Sequence, residues 1–192
     1  MAGTDFSAVS SARLFAMITN LLQLIILIGI AIHSNGQEMP PSDVPDKIKV
    51  PIDQKVVLAA HASGAQIYTC KQGTNGGYMW TLKGPEAELR DSSGAAIGRH
   101  YAGPTWKHND GSEVTGKAAA QVDSLDANSI PWLLLTATGH SGRGVLSRVT
   151  SIQRIHTAGG RPPAVADCSA SKQNSDVKSS YTADYYFYAP AK

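Results

Sequence analysis

The sequence predicts an all-β domain, a single antiparallel β-sandwich or barrel, placed after an N-terminal signal helix. Three observations predict it. From about position 54 onward apolar residues recur with period two in short runs; clusters of Gly, Asn, Asp, Ser and Pro separate those runs; and no long stretch keeps a helical period.

Residues 37–51 carry Pro40, Pro41, Pro45 and Pro51 and form an extended lead-in, because proline withdraws amide donors and biases its predecessor away from helix. Val56, Leu58 and Ala60 then alternate with Lys55, Val57 and Ala59 as a strand. Gln66-Ile67-Tyr68-Thr69-Cys70 and Tyr78-Met79-Trp80-Thr81-Leu82 flank Gly73-Thr74-Asn75-Gly76-Gly77, whose residues accept positive φ cheaply, so a hairpin is expected there. Further turns fall at residues 91–94, 102–104, 109–111 and 139–144. They delimit strands at residues 97–101, 105–108, 113–122, 132–138, 145–155 and 181–188. Within 145–155 the spacing of Val145, Val149, Ile152 and Ile155 also suits a helix, but the β-branched composition favours strand. Residues 161–180 are polar and read as a loop pinned by Cys168.

Residues 14–32 are almost wholly apolar, follow Arg13, and give way to His33-Ser34-Asn35-Gly36. A basic residue, an apolar stretch and then small residues make a secretory signal, with cleavage between Gly36 and Gln37. The run is also long enough for an uncleaved membrane anchor, which is the alternative reading. Cleavage leaves residues 37–192 as one domain, read foremost as a β-sandwich, with no further membrane span and long enough to bury about 70% of its unfolded surface. A net charge of +2 lacks the basic excess of a nucleic-acid binder.

The two cysteines, Cys70 and Cys168, allow one disulfide or two separately buried thiols, and an exported chain favours the disulfide. Closing so long a loop stabilises by roughly 4 to 5 kcal/mol in the chain-entropy treatment. Two cysteines are too few for a structural zinc site.

Several blocks in order, Val44-Pro45-Asp46, Gln66-Ile67-Tyr68-Thr69-Cys70, Gly98-Arg99-His100-Tyr101-Ala102-Gly103-Pro104-Thr105-Trp106, Ile130-Pro131-Trp132-Leu133-Leu134-Leu135 and Thr182-Ala183-Asp184-Tyr185-Tyr186-Phe187-Tyr188, carry a resemblance. Together they resemble the secreted family catalogued as domain of unknown function 3455, over about residues 44–190. The resemblance implies secretion and a single domain. It brings no activity, ligand or catalytic residue.

Candidate chemistry is sparse. His100, His108 and Asp110 surround the Gly103-Pro104 turn, and two imidazoles with a carboxylate suit zinc, copper or iron, although the spacing is no standard metal signature. Gly139-His140-Ser141-Gly142 lacks the final glycine of a nucleophile elbow, since position 143 is Arg. Residues 127–166 contain no Asp or Glu while holding Arg148 and Arg154, a mild positive stretch suited to an anionic partner. Alternation puts Tyr186 and Tyr188 on one face, where with Trp106 they would stack sugar rings if exposed. The expectation is therefore a secreted, non-catalytic binding or structural module for an extracellular glycan or other anionic ligand. A metal-dependent secreted enzyme built on the His/Asp cluster is the alternative. No cofactor is legible.

Overall fold

The chain divides into two units, Met1–Gly36 and Gln37–Lys192. The computed structural model describes residues 39–192, so the predicted signal segment lies outside the described residues. Eight strands run in order: β1 Gln54–Gln72, β2 Tyr78–Arg90, β3 Ala96–Tyr101, β4 Thr105–His108, β5 Glu113–Val122, β6 Trp132–Ser141, β7 Ser151–Gly159 and β8 Asp176–Pro190. Each pairs antiparallel with its neighbours in sequence, and β8 returns to β1. The result is a closed barrel, the second of the two predicted architectures, and closure removes the sheet edges that a sandwich would have to protect. Among the described residues no helix is long and apolar enough to cross a membrane.

The pleat sorts the side chains. Ala60, Ala62, Val114, Ile152, Ala183 and Phe187 point inward and form the main core. Across β8 the same alternation sends Tyr185 and Phe187 inward and Tyr186 and Tyr188 outward. A second, smaller cluster lies on the outer wall. There the lead-in, which contains a 3-10 turn at Asp46–Ile48, lays Val44 and Ile48 over Trp132 and Ile155. Gln153 fixes it by donating to the Ile48 carbonyl at 2.7 Å.

Two runs predicted as separate strands are one. β1 continues through Ser63-Gly64 because Gly64 stands so close to Ala87 and the Glu86 carbonyl on β2 that a Cβ would collide with them. β2 likewise outruns its predicted end at residue 82. It passes the bulge at Gly84, whose φ of +148° only glycine accepts readily. The predicted strand at 145–155 is corrected. Residues 142–150 are a loop and β7 starts at Ser151. Leu146 and Val149 fold back fully buried into the core and stopper that end of the barrel, which explains the helix-like spacing without a helix.

At the opposite end lie the β1–β2, β3–β4, β5–β6 and β7–β8 connections. Cys168, in the last of these, is bonded to Cys70 on β1 with their Cα atoms 5.5 Å apart. The loop is further held by Asn174 and Ser175, whose backbones pair with Cys70, and by Trp80 Nε1 donating to the Ala164 carbonyl.

Candidate functional site

The barrel interior is filled at the stoppered end and hollow near the other. A cavity of about 560 Å³ lies there, beneath the Gly103-Pro104 turn, with Gln66, His100, Trp106, Leu133, Arg154 and Tyr185 on its lining. An eight-stranded barrel is just wide enough to fill with side chains or to hold one small ligand. Here the small residues Gly116 and Ala118 on β5 leave the space: a Cβ at Gly116 would already touch the Trp106 ring. The volume falls in the usual range for small-molecule sites, ~300–1,000 Å³.

His100 and Trp106 face each other across the β3–β4 ladder and stack, ring centres 4.4 Å apart and nearly parallel. Tyr185 meets both edge-on, at 5.1 and 5.5 Å. His100 Nδ1 lies 2.8 Å from the Thr105 carbonyl, so that nitrogen carries the proton and donates. Burial pushes the imidazole pKa down to about 3, against the carbonyl hydrogen bond that favours the cation, with the nearby Arg154 charge pushing the same way as burial. His100 is thus a neutral, fixed wall of the cavity.

Arg154, on β7, lies between Tyr185 of β8 and Leu133 of β6 in the sheet register. Its Nε and Nη2 donate to the Pro131 carbonyl at 3.2 and 2.8 Å. Among the described residues no carboxylate stands within 4 Å of it. Gln66 Nε2 and Trp106 Nε1 are buried without a hydrogen-bond partner, while the Tyr185 hydroxyl interacts with Tyr181 and Arg154.

The predicted metal set is not assembled, which corrects that reading. His100 is inside the barrel, whereas His108 and Asp110 sit together at the stoppered end, His108 Nδ1 being 3.1 Å from the Asp110 carboxylate. Asp110 is fully engaged: Oδ1 accepts from the Ser112 amide and hydroxyl, and Oδ2 from the Val145 amide. Among the described residues no three His, Cys, Asp or Glu side chains are placed to hold a metal ion. His140 Nε2 lies 2.7 Å from the Val149 carbonyl, a second tie for the same loop.

The other candidates separate too. Tyr188 is buried beneath the lead-in with its hydroxyl on Gln153 Oε1, and Tyr186 packs half-buried against the same outer cluster, so the two do not form the expected exposed aromatic row. Arg148 is on the surface, donating to the Lys192 carbonyl, while Arg154 is inside; they share no positive face. Trp106, 1% exposed, does line the cavity. Sequence reasoning missed Gln66, whose signal was legible: it occupies the inward register of Tyr68 and Cys70, where a polar side chain is unexpected.

It also missed a relay on the outer wall. His61 Nδ1 contacts Asp184 Oδ1 at 2.8 Å, Asp184 Oδ2 contacts His156 Nδ1 at 2.9 Å, and His156 Nε2 contacts Asp43 Oδ2 at 2.7 Å. The chain fastens the lead-in to β7, β8 and β1. His156 occupies the left-handed region, φ 48°, at a bulge of β7 that turns its ring toward Asp43. Partial burial of the His156 ring opposes its charge, but the hydrogen bonds and charges of Asp43 and Asp184 outweigh this and raise the pKa above 6.5. The hydrogen bond from His156 holds the Asp43 carboxyl below 3.8. A raised histidine stabilises below its unfolded value and loses that contribution as pH rises through the folded one. A depressed carboxylate stabilises above its unfolded value and loses its contribution as pH falls. The fastening is therefore strongest between about pH 4 and 6.5 and loosens on the alkaline side. Hydrogen exchange of residues 44–50 should accelerate more between pH 6 and 8.5 than the intrinsic rate does. In His156→Asn, which tolerates the same φ, that excess should vanish; an unchanged excess would remove His156 from the fastening.

A closed antiparallel barrel, stoppered at one end and hollow at the other, is the class of protein that fold and site define. The chain belongs to the family described as protein of unknown function (DUF3455), whose profile matches residues 51–189. The match starts at Pro51 and so leaves the lead-in outside it, a narrower span than the blocks of sequence had implied. No curated protein and no solved structure matches the chain.

Proposed function

We propose that the protein is a secreted, non-catalytic module that binds a small molecule inside the barrel, between Trp106, Leu133 and Arg154. The observation that carries this is the cavity itself: concave, largely apolar, with a few convergent polar groups, which is how small-molecule sites are built. The leader at residues 1–36 supports export, and the Cys70–Cys168 bond accords with an oxidising compartment. With Tyr188 buried, Tyr186 half-buried and Trp106 inside the barrel, no shared exposed aromatic face supports surface stacking of glycans, and the cavity is the better-supported site. A binding rather than catalytic role is favoured by His100, whose depressed pKa keeps it from exchanging protons near neutral pH.

Ala118 is exposed at the rim of the cavity, so Ala118→Trp should obstruct it without disturbing the core. With naphthalene methanol and naphthoate as probes, followed by isothermal titration, binding to the unaltered protein is expected and should fall at least tenfold in the variant. The melting transition should stay within ~0.5 kcal/mol, as for other surface changes. Equal binding by both proteins would place the probes elsewhere and end the reading.

A further inference from the structure

The polar atoms of the cavity are lopsided in a way that specifies what enters it. Arg154 brings a positive charge into the barrel, where it donates twice to a neutral carbonyl and also meets the neutral Tyr185 hydroxyl. A guanidinium has five N–H donors and always carries its charge, so most of its capacity is unspent. Its charge acts on His100, Tyr68, Tyr181 and Tyr185, none of which supplies a negative group at neutral pH, because burial raises the tyrosine pKa values further. Arg154 is half-buried, so its cation is partly withdrawn from water with no carboxylate beside it among the described residues, an arrangement an anion would improve. The remaining groups repeat the bias: Gln66 Nε2 and Trp106 Nε1 can only donate, and both lack partners. A lining rich in donors and short of acceptors complements a ligand with the opposite inventory. Leu133, Leu135 and the stacked His100–Trp106 pair offer flat apolar surface, while Lys83 and Lys117 add positive charge and Gln121 a polar amide elsewhere on the lining.

We infer that the cavity is a site for a small organic acid, an apolar, ring-sized body with one carboxylate that is held by Arg154. This rests on the cavity reading above and names its ligand class. Arg154 is then the specificity determinant, pairing with the carboxylate through its fork of N–H donors, while the apolar wall sets size.

The test compares three probes of one shape, naphthoate, its methyl ester and naphthylmethylamine, at fixed ionic strength. Each is titrated against the unaltered protein, Arg154→Met, Arg154→Lys and Ala118→Trp. The acid should bind the unaltered protein about 10- to 100-fold more tightly than the ester, the scale of a charge-assisted hydrogen-bonded pair, and the amine should not bind. Arg154→Met should cost the acid most of its advantage over the ester and weaken the ester far less. Arg154→Lys, which keeps the charge without the fork, should fall between and covers the case in which the methionine variant does not fold. If acid and ester bind equally to the unaltered protein and both are lost in Ala118→Trp, the ligand class is wrong and the cavity reading survives. If neither binds, or Ala118→Trp makes no difference, both are overturned.

Discussion

Replacing both cysteines, Cys70→Ala with Cys168→Ala, is expected to lower stability by about 4.7 kcal/mol and the melting temperature by roughly 10–20 °C. The bond closes a loop of 98 residues, nearly the whole barrel from β1 to the β7–β8 connection. In the chain-entropy treatment the gain comes from the unfolded state, which the cross-link compacts, and grows with loop length. Alanine at these buried positions leaves no orphaned hydroxyl, so the measured loss reports the cross-link with little added desolvation. The native contacts around it, Trp80 to the Ala164 carbonyl and Lys71 Nζ to Asn174 Oδ1, persist in the variant and cannot substitute for it. They act only once the chain has folded. Urea unfolding with and without reductant measures the effect; a loss below about 1 kcal/mol would show that the β7–β8 loop is held by those contacts alone and that the entropic argument fails for this barrel.

The same closure explains what could be read from the sequence. Turn chemistry made most strand boundaries legible: Gly76, with φ 79°, sits in the β1–β2 hairpin where Asn75-Gly76-Gly77 placed it. Alternation made the two faces of β8 legible, Tyr185 and Phe187 against Tyr186 and Tyr188. What alternation cannot say is which face meets the core and what covers the other. The proline spacing of the lead-in suggests a mere approach to the domain, yet Ile48 is completely buried on the outer wall, in the cluster against which Tyr186 packs half-buried. Period two also fails to tell a strand from a loop that tucks apolar residues inward, which is why residues 145–150 read as strand in the sequence and are loop in the fold. The cavity needed the third dimension altogether. Gln66, Trp106, Leu133, Arg154 and Tyr185 come from five strands, β1, β4, β6, β7 and β8, and only the register of a closed sheet brings them together. Local sequence had separated Arg154 from Trp106 and grouped it instead with Arg148, which lies on the surface.

Asp110 is where the metal reading and the structural reading part most sharply, and its removal should have the second large effect. Asp110→Ala deletes the acceptor for the Ser112 amide at 2.8 Å, the Ser112 hydroxyl at 2.6 Å and the Val145 amide at 2.8 Å. Ser112 is wholly buried, and its hydroxyl oxygen in turn accepts from the Leu146 amide, so the carboxylate anchors the entire stoppering loop. Gly144, with φ 152°, passes so near the carboxylate that a Cβ would overlap it, a close approach that makes sense only if the two are built as a unit. Hydrogen bonds to a charged group contribute about 1.5–3 kcal/mol each where buried, and these three are coupled and partly exposed, so a total near 3 kcal/mol is expected. Asp110→Asn, which keeps one acceptor oxygen, should lose about half of that. The pH dependence carries a sign. Desolvation raises the Asp110 pKa, but the Ser112, Val145 and His108 interactions outweigh it and hold the carboxyl well below 3.8. A depressed carboxylate contributes its stability above the unfolded value, so the gap between the unaltered protein and Asp110→Ala should be full at pH 6 and narrow progressively below about pH 4. Chelator should change neither protein, because the carboxylate is occupied by backbone and serine donors. A gap that persists undiminished at pH 2 would show that the ionised carboxylate is not the anchor, and one that appears only when zinc or copper is supplied would return Asp110 to the role of ligand.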